Sequence, residues 1–549
     1  MRNRKGTRKI AISRGLAAAS CVAAILFLFL SIPSHAQQRH TPPTRHVRDA
    51  VVNGQARWLG ALRPTQRLQL AIALPLRNQA ELDDLLQQLY DPQSPSYHQW
   101  LSVEDFTGRF GPTQADYEAV VQFAEANGMT VTSTTPNQML VDVTASVADI
   151  NRTFRVTMGV YEHPTEDRTF YAPDREPSAD LGVQLWHITG MDDFSPPRPK
   201  LRFAQPGEPM LHTFAGSGPG GGYLGSDMRK AYYGGTALTG AGQSIGLFGL
   251  NFNLSDVQLY YNNIGQSFNS SVVQTIAING YNTSCGSCDD GEPVIDIVES
   301  LSMAPGVNSV IEYEAASDVD VFNRMATDNI AKQLSASVGW QPADSSSNEP
   351  IFKEFAAQGQ NLFVSSGDSG AFSSSNPSYY PCDDPYITSV GGTDLSTNGA
   401  GGSWASESSW VGSSGGPTTN GFAIPSYQQL AGVINSSNGG STTLRNMPDV
   451  SMEANTDNYF GGTSLSAPRW AGFLALVNQQ AAINGKSSVG FLNPLLYSIG
   501  VGSSYNSDFH DITSGNNSNG SASHNAVVGY DLVTGGGQAL RSSALPSTR

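Results

Sequence analysis

The sequence predicts an α/β protein in which a domain with a mainly parallel central sheet follows a smaller α+β domain. Beyond residue 240, strand-like runs alternate with helical ones in the order βαβαβ, which requires a parallel sheet covered by helices. Residues 53–193 instead mix two helical stretches with several alternating ones, the pattern of a compact α+β unit of the split βαβ kind. A Pro/Gly-rich stretch separates them, from Ser195-Pro-Pro-Arg-Pro-Lys through Gln205-Pro-Gly-Glu-Pro to Gly216-Ser-Gly-Pro-Gly-Gly-Gly, and reads as an exposed linker open to proteolytic nicking.

In chain order, Arg2, Arg4, Lys5, Arg8, Lys9 and Arg14 precede an apolar stretch from Leu16 to Ile32 and the small-residue site Ser34-His35-Ala36. Residues 1–36 thus read as a cleaved secretory signal, the alternative being an uncleaved membrane anchor. In the first domain, 78–90 and 113–127 have helical periodicity and 129–134, 138–143 and 153–160 alternate like strands. In the second, strands are expected at 244–250, 309–313, 334–338 and 361–365, with helices near 292–303, 318–333 and 349–358.

Only 14% of the 549 residues are charged, 39% are hydrophobic and 57 are glycine, which excludes a disordered or coiled-coil chain. Residues 206–549 carry 27 acidic and 10 basic groups, a balance of −17 that repels a phosphate backbone and excludes a nucleic-acid partner. An acidic surface of this kind suits low pH. Beyond the leader stand Cys285, Cys288 and Cys382; Cys285-x-x-Cys288 lacks further ligands for zinc and reads as a local disulfide or two thiols.

Three clusters could carry chemistry. In Gly461-Gly-Thr-Ser464-Leu-Ser-Ala-Pro468, the serine opens an apolar helix, where unpaired amides stabilise negative charge. It is a nucleophile or an ordinary cap. A nucleophile needs a base, and past residue 205 only His212, His510 and His524 are available, none in the His-Gly-Thr-His setting of subtilisins. In acid a carboxylate can replace the imidazole, which is protonated there. Glu292 and Asp296, at i and i+4 in a mostly apolar helix, form such a pair or a solvated acidic face. The third cluster, Phe363-Val-Ser-Ser-Gly367-Asp368-Ser-Gly370, sets a carboxylate in a glycine-flanked turn after a strand. Asp368 could donate to an oxyanion when protonated, or cap an Asx turn.

Together these clusters resemble the sedolisin, or kumamolisin-like, family of serine-carboxyl peptidases. The order Glu, Asp, Asp, Ser agrees, Met447-Pro-Asp-Val-Ser451 resembles the segment before the nucleophile, and Tyr97-His-Gln-Trp-Leu101 to Gly111-Pro-Thr resembles the activation propeptide. The resemblance spans roughly residues 50–540. It implies a subtilisin-like three-layer fold behind a ferredoxin-like prodomain, with catalytic Ser464, Glu292, Asp296 and Asp368. It also implies Ca2+ held by the side chains of Asp511 and Asp531 and the carbonyls of Ile512, Val527 and Gly529, with water; a glycine-rich loop with two solvated aspartates is the alternative. In Ser337-Val338-Gly339 the chain departs from the family, which often places an aromatic between Ser and Gly.

The resulting division is 1–36 signal, 37–200 activation propeptide, 201–222 linker and processing region, and 223–549 catalytic domain. The function expected is a secreted, monomeric, acid-acting endopeptidase made as a zymogen, with its own propeptide as inhibitor, protein or peptide substrates, and no stable membrane association after signal removal. The alternatives are a tripeptidyl peptidase of the same family and a catalytically silent protein of the same fold. Propeptide basic groups, Arg198, Lys200 and Arg202 among them, are expected to pair with catalytic-domain carboxylates and to let go in acid.

Overall fold

The computed structural model describes residues 39–199, 202–203, 215–235, 237–342, 347–455 and 460–539. The expected leader and most of the processing region lie outside them. Among the described residues, no helix is long and apolar enough to cross a membrane.

The first domain is built on strands β1 (Arg67–Ala73), β2 (Thr130–Thr134), β3 (Leu140–Ser146) and β4 (His187–Thr189), all antiparallel in the order β2-β3-β1-β4. This is the ferredoxin-like order. Helices α1 (Gln79–Tyr90), α2 (Val103–Phe110), α3 (Gln114–Ala126) and α4 (Val147–Phe154) accompany them. Of these, α2 and α4 were not anticipated: each has only eight residues, too few for periodicity to show, although Ser102 and Ser146 cap them with side-chain bonds to the N3 amides. Helix α4 also replaces the start of the strand expected at 153–160, which begins only at Met158.

Two short strands, β5 (Arg198–Pro199) and β6 (Arg202–Phe203), lead out of this domain. The second domain then sets out β7 (Ser244–Phe248), β8 (Val273–Ala277), α5 (Gly291–Met303), β9 (Ser309–Glu314), α6 (Asp318–Asp328), β10 (Gln333–Ala336), β11 (Val338–Gly339), α7 (Glu349–Ala357), β12 (Asn361–Ser365), β13 (Thr388–Thr397), β14 (Trp404–Ser409), β15 (Val450–Glu453), β16 (Phe460–Gly461) and α8 (Thr463–Ile483). The main sheet runs β8-β9-β7-β10-β12-β13-β14, with β15 also on β13, and every pair is parallel except β13 with β14. Helix α6 stops at Asn329, in the left-handed region at φ 47°, five residues before the sequence pattern suggested.

One core under α5 and α8 holds Ile297, Leu301, Trp470 and Leu474. The core on the other face is shared between the two domains: Leu82, Leu86, Leu89, Phe106 and Phe110 pack in one cluster with Phe322, Ile351, Phe352 and Phe355. Hydrogen bonds reinforce that contact, from Tyr90 Oη to the Ala356 carbonyl at 2.6 Å and from Trp100 Nε1 to the Ser488 carbonyl at 3.1 Å.

One expectation about the join is corrected. The linker is not simply exposed: β5 pairs antiparallel with β11 and β6 with β16, so the chain is threaded along strands that flank the start of α8. Of the propeptide arginines, Arg57, Arg109, Arg152, Arg155, Arg168, Arg175 and Arg198 pair with acids of their own segment, Arg48 pairs with Asp192, and Lys353 crosses to Asp83 at 3.1 Å. Lys200, named for the expected pairing, lies outside the described residues, as does the side chain of Arg202. Cys285 and Cys288 form a disulfide, and Cys382 is a buried thiol.

Candidate active site

Strand β12 delivers Asp368 to the carboxyl edge of the sheet, where parallel sheets carry their sites. The turn requires Gly367, whose φ of 117° an L side chain rarely adopts. Asp368 Oδ1 then accepts from the Thr463 amide at 2.8 Å and from Thr463 Oγ1 at 2.9 Å, while Thr463 Oγ1 accepts from the Gly367 amide at 3.0 Å. These bonds lock the turn onto the first residue of α8.

Ser464 is the second residue of that 21-residue helix and is wholly buried. The capping reading does not hold: the N-cap is Gly462, and Ser464 Oγ makes no hydrogen bond among the described residues. Pro468 has no N–H, so the Ser464 carbonyl lacks the usual i+4 donor. Ser337 Oγ stands 3.5 Å from that carbonyl oxygen and 2.6 Å from Asp296 Oδ1.

Helix α5 presents Glu292, Asp296 and Glu299 at i, i+4 and i+7, one stripe on one face. The stripe is not solvated. All three are at most 5% exposed, and Glu299 pairs with the buried Arg469 of α8 at 2.7 Å. Glu299 meets Arg469 and Asp296 meets Ser464 through Ser337, so α5 and α8 run side by side in the same direction and Glu292 projects beyond the Ser464 end. Burial drives the Asp296 carboxyl well above the usual range; Ser337 opposes the shift, and the nearby Glu312 and Glu299 add to it.

All four expected catalytic residues therefore converge around the start of α8. Of the histidines, His510 stacks on Trp404 with ring centroids 3.9 Å apart and burial lowers its pKa to about 4, and His524 sits against Gly416. His212 lies outside the described residues. Sequence reasoning missed the bridging part of Ser337 and the clamp made by Thr463. The only signal for either was adjacency to a motif already singled out.

The C-terminal loops bring Asp511 and Asp531 together. Asp531 Oδ1 accepts from the Val533 and Thr534 amides at 2.8 and 2.7 Å, Asp531 Oδ2 from the Val527 amide at 3.0 Å, and Asp511 from the Gly529 amide and Tyr505 Oη. Neither carboxylate has an ion pair among the described residues, and burial raises Asp531 to about 7 and Asp511 less far. One buried and one half-buried carboxylate without a counter-charge fit a hard cation better than solvated loops do. No cluster of three or more His, Cys, Asp or Glu suited to a metal occurs among the described residues, and the expected set needs only two such side chains.

Residues 55–194 match the family described as pro-kumamolisin, activation domain. Over 518 residues the chain is 29% identical to sedolisin of Pseudomonas sp. (strain 101), covering 85% of each protein, and 27% identical to kumamolisin of Bacillus sp. (strain MN-32), covering 88% of this chain and 91% of that one. Over most of its length this chain is similar to the sedolisin-type serine-carboxyl peptidases. Similar proteins also include ones named tripeptidyl-peptidase, such as sed5 of Aspergillus fumigatus, 25% identical over 87% of this chain and 92% of that one. The sedolisin-like fold is seen directly against the solved structure of Pseudomonas sedolisin complexed with two molecules of pseudo-iodotyrostatin. That likeness has a TM-score of 0.50 at 27% identity and covers 59% of this chain and 97% of that one. The sedolisin-family activation domain coincides with the ferredoxin-like sheet and its helices.

Proposed function

We propose that the chain is a secreted, monomeric endopeptidase active in acid, made as a zymogen, in which Ser464, Glu292 and Asp296 form the triad and Asp368 donates to the oxyanion. The observation that carries this reading is the buried Ser464 hydroxyl, free of competing hydrogen bonds, at a helix start clamped to Asp368 and bridged by Ser337 to Asp296.

In this mechanism Asp296, held protonated by its surroundings, donates to Glu292 and leaves Glu292 the ionised acceptor. Glu292 takes the proton of Ser464 Oγ as that oxygen attacks the peptide carbonyl carbon. The tetrahedral oxyanion is met by the helix-terminal amide at Ser464 and by Asp368 in its protonated form. Glu292 then passes the proton to the leaving amine, the C–N bond breaks, and an acyl-serine is left. A water molecule, deprotonated by Glu292, attacks the ester and restores the serine.

The zymogen part of the reading is supported by the β5–β11 and β6–β16 pairings, which place the chain's own linker beside the nucleophile where an extended substrate would lie. Asp511, Asp531 and the carbonyls of Ile512, Val527 and Gly529 would hold Ca2+, which supplies structural cross-linking of two loops and no step of the reaction. Residues 1–36 direct export and are removed, and processing falls between about Ser195 and Gly222.

The test is digestion of a denatured protein at about pH 4, near the carboxylate pKa range, by the matured wild type and the Ser464→Ala and Glu292→Gln variants. Mixed-length peptide ladders, absent from both variants, are expected. Successive tripeptides would replace the endopeptidase with a tripeptidyl peptidase, and near-normal turnover by either variant would overturn the triad.

A further inference from the structure

Behind Asp296 lie two more carboxyls that the reaction does not use. On β9, Val310 belongs to the core under α5 whereas Ile311 and Tyr313 belong to the opposite one, so strand alternation places Glu312 and Glu314 on the α5 face. Glu312 is wholly buried, Glu314 is 1% exposed, and none of their four carboxyl oxygens has a hydrogen-bond partner among the described residues.

The neighbouring strand makes room for them. Just past the end of β7, a Cβ on Gly249 would come within 3.0 Å of Glu312 Oε2 and 2.8 Å of Glu314 Cγ. The groups facing Glu312 are Asp296 from α5, with Glu299 beyond it already neutralised by Arg469, and Glu314 on its own strand, beside Tyr281. The flanking strands offer no charge: Leu247 lies on β7 and Gly249 just after it, Thr275 and Ala277 lie on β8, and Ser335 on β10. Isolated buried carboxylates are costly, so such groups hold their protons and share what charge they acquire.

We propose that Glu312 is a positioning residue for Asp296, a buried acid packed behind the triad whose ionisation holds the Asp296 proton in place and so sets the alkaline limit of activity. This rests on Asp296 belonging to the triad. Once Glu312 loses its proton, its like charge opposes ionisation of Asp296, which continues to donate to Glu292 at a pH where an ordinary aspartate would not. The direction agrees with the shifts: burial and then Glu314 raise Glu312, burial raises Glu314 to about 7, and Glu312 itself is among the charges that raise Asp296.

The experiment is the pH profile of kcat/KM for the full chain matured in acid, compared with Glu312→Gln, Glu312→Leu and Asp296→Asn, each checked for fold by its unfolding temperature. Gln keeps the shape without the charge, and Leu removes the buried polar group altogether, so the two do not share a folding defect. In whichever folds, the alkaline limb is expected about one pH unit lower, as loss of one like charge requires, with a smaller loss of activity at pH 4 than at pH 6. An unmoved limb in a folded Glu312 variant, with Asp296→Asn inactive, overturns the inference alone. Wild-type rate and limb in Asp296→Asn overturn the triad reading beneath it.

Discussion

Ser337 Oγ lies 2.6 Å from Asp296 Oδ1, and the same oxygen lies 3.5 Å from the main-chain carbonyl of Ser464. A hydroxyl has one proton to give. With the Asp296 proton given to Glu292, Ser337 gives its own to Asp296 Oδ1, the shorter contact, and the carbonyl that Pro468 leaves without a helical donor stands at the longer one. Ser337→Ala is therefore expected to lower kcat about tenfold, roughly the worth of one buried hydrogen bond, with KM little changed. Ser337→Thr should restore most of the rate. Steady-state kinetics on one peptide substrate checks both, and a change in KM alone would remove Ser337 from the acid network.

Asp368 has two tasks in this geometry, anchoring Thr463 and facing the oxyanion. Asparagine keeps an acceptor for Thr463 and a donor for the oxyanion, whereas alanine keeps neither. Asp368→Ala should cost about 10²–10³ in kcat, the usual effect of losing an oxyanion donor, and Asp368→Asn distinctly less. Equal and negligible losses in the two variants would take Asp368 out of the oxyanion role.

The reach of the sequence follows from how each feature is encoded. Spacing alone puts Glu292 and Asp296 on one helical face, and Gly367 marks the turn that carries Asp368, because both signals are local. That the acidic stripe is buried is decided by Arg469 and the apolar run of α8, more than 160 residues away, so periodicity leaves a solvated face equally open. Glu312 was invisible for the same reason. In Val310-Ile311-Glu312-Tyr313-Glu314 the acids alternate with apolar residues, the pattern of a half-exposed strand, and only the packing of α5 over β9 turns that face inward. The path of the linker was misjudged because Pro and Gly report poor helix and strand propensity, while β5 and β6 form through partners at 338–339 and 460–461.

The C-terminal loops make a prediction with a definite sign. Without a cation, burial raises Asp531 to about 7, above its unfolded value. The stability this group allows is then full below the unfolded carboxylate pKa and lost as pH rises through about 7. A bound Ca2+ reverses the penalty by pairing with the ionised form, and at a hundred times its dissociation constant adds about 2.7 kcal/mol. Chelation should thus lower the unfolding temperature more at pH 7 than at pH 4, and Asp531→Asn should abolish the response to calcium. An unfolding temperature indifferent to chelator at both pH values would refute the site.

The contact between prodomain and catalytic domain points the opposite way from the acid-release expectation. Asp142 of β3 and Asp320 of α6 line one cavity at this contact, where two neighbouring buried carboxyls favour sharing a proton, and Asn279 Nδ2 donates to Asp142 Oδ2 at 2.9 Å. Burial raises both, most of all Asp320, and it raises Glu354, which accepts from the prodomain's Asn137 at 2.7 Å, to about 8. Groups whose pKa is raised in the joined state bind more protons there than apart. Their contribution is full in acid and is lost as pH climbs from the ordinary carboxylate range through the raised values. The Lys353–Asp83 pair acts in the other sense, but Asp83 is half exposed and such pairs are worth about 0–1 kcal/mol. Acid should therefore activate the zymogen by switching on cleavage of the linker already threaded beside Ser464, while the nicked prodomain stays bound more firmly at pH 4 than at pH 7. Asp320→Asn, which needs no shared proton, is expected to tighten the complex at pH 7 and flatten its pH dependence. The check is to nick the Ser464→Ala chain with active enzyme and measure the prodomain co-eluting with the catalytic domain at each pH. A wild-type complex that holds at pH 7 and falls apart at pH 4 would show that other groups govern release.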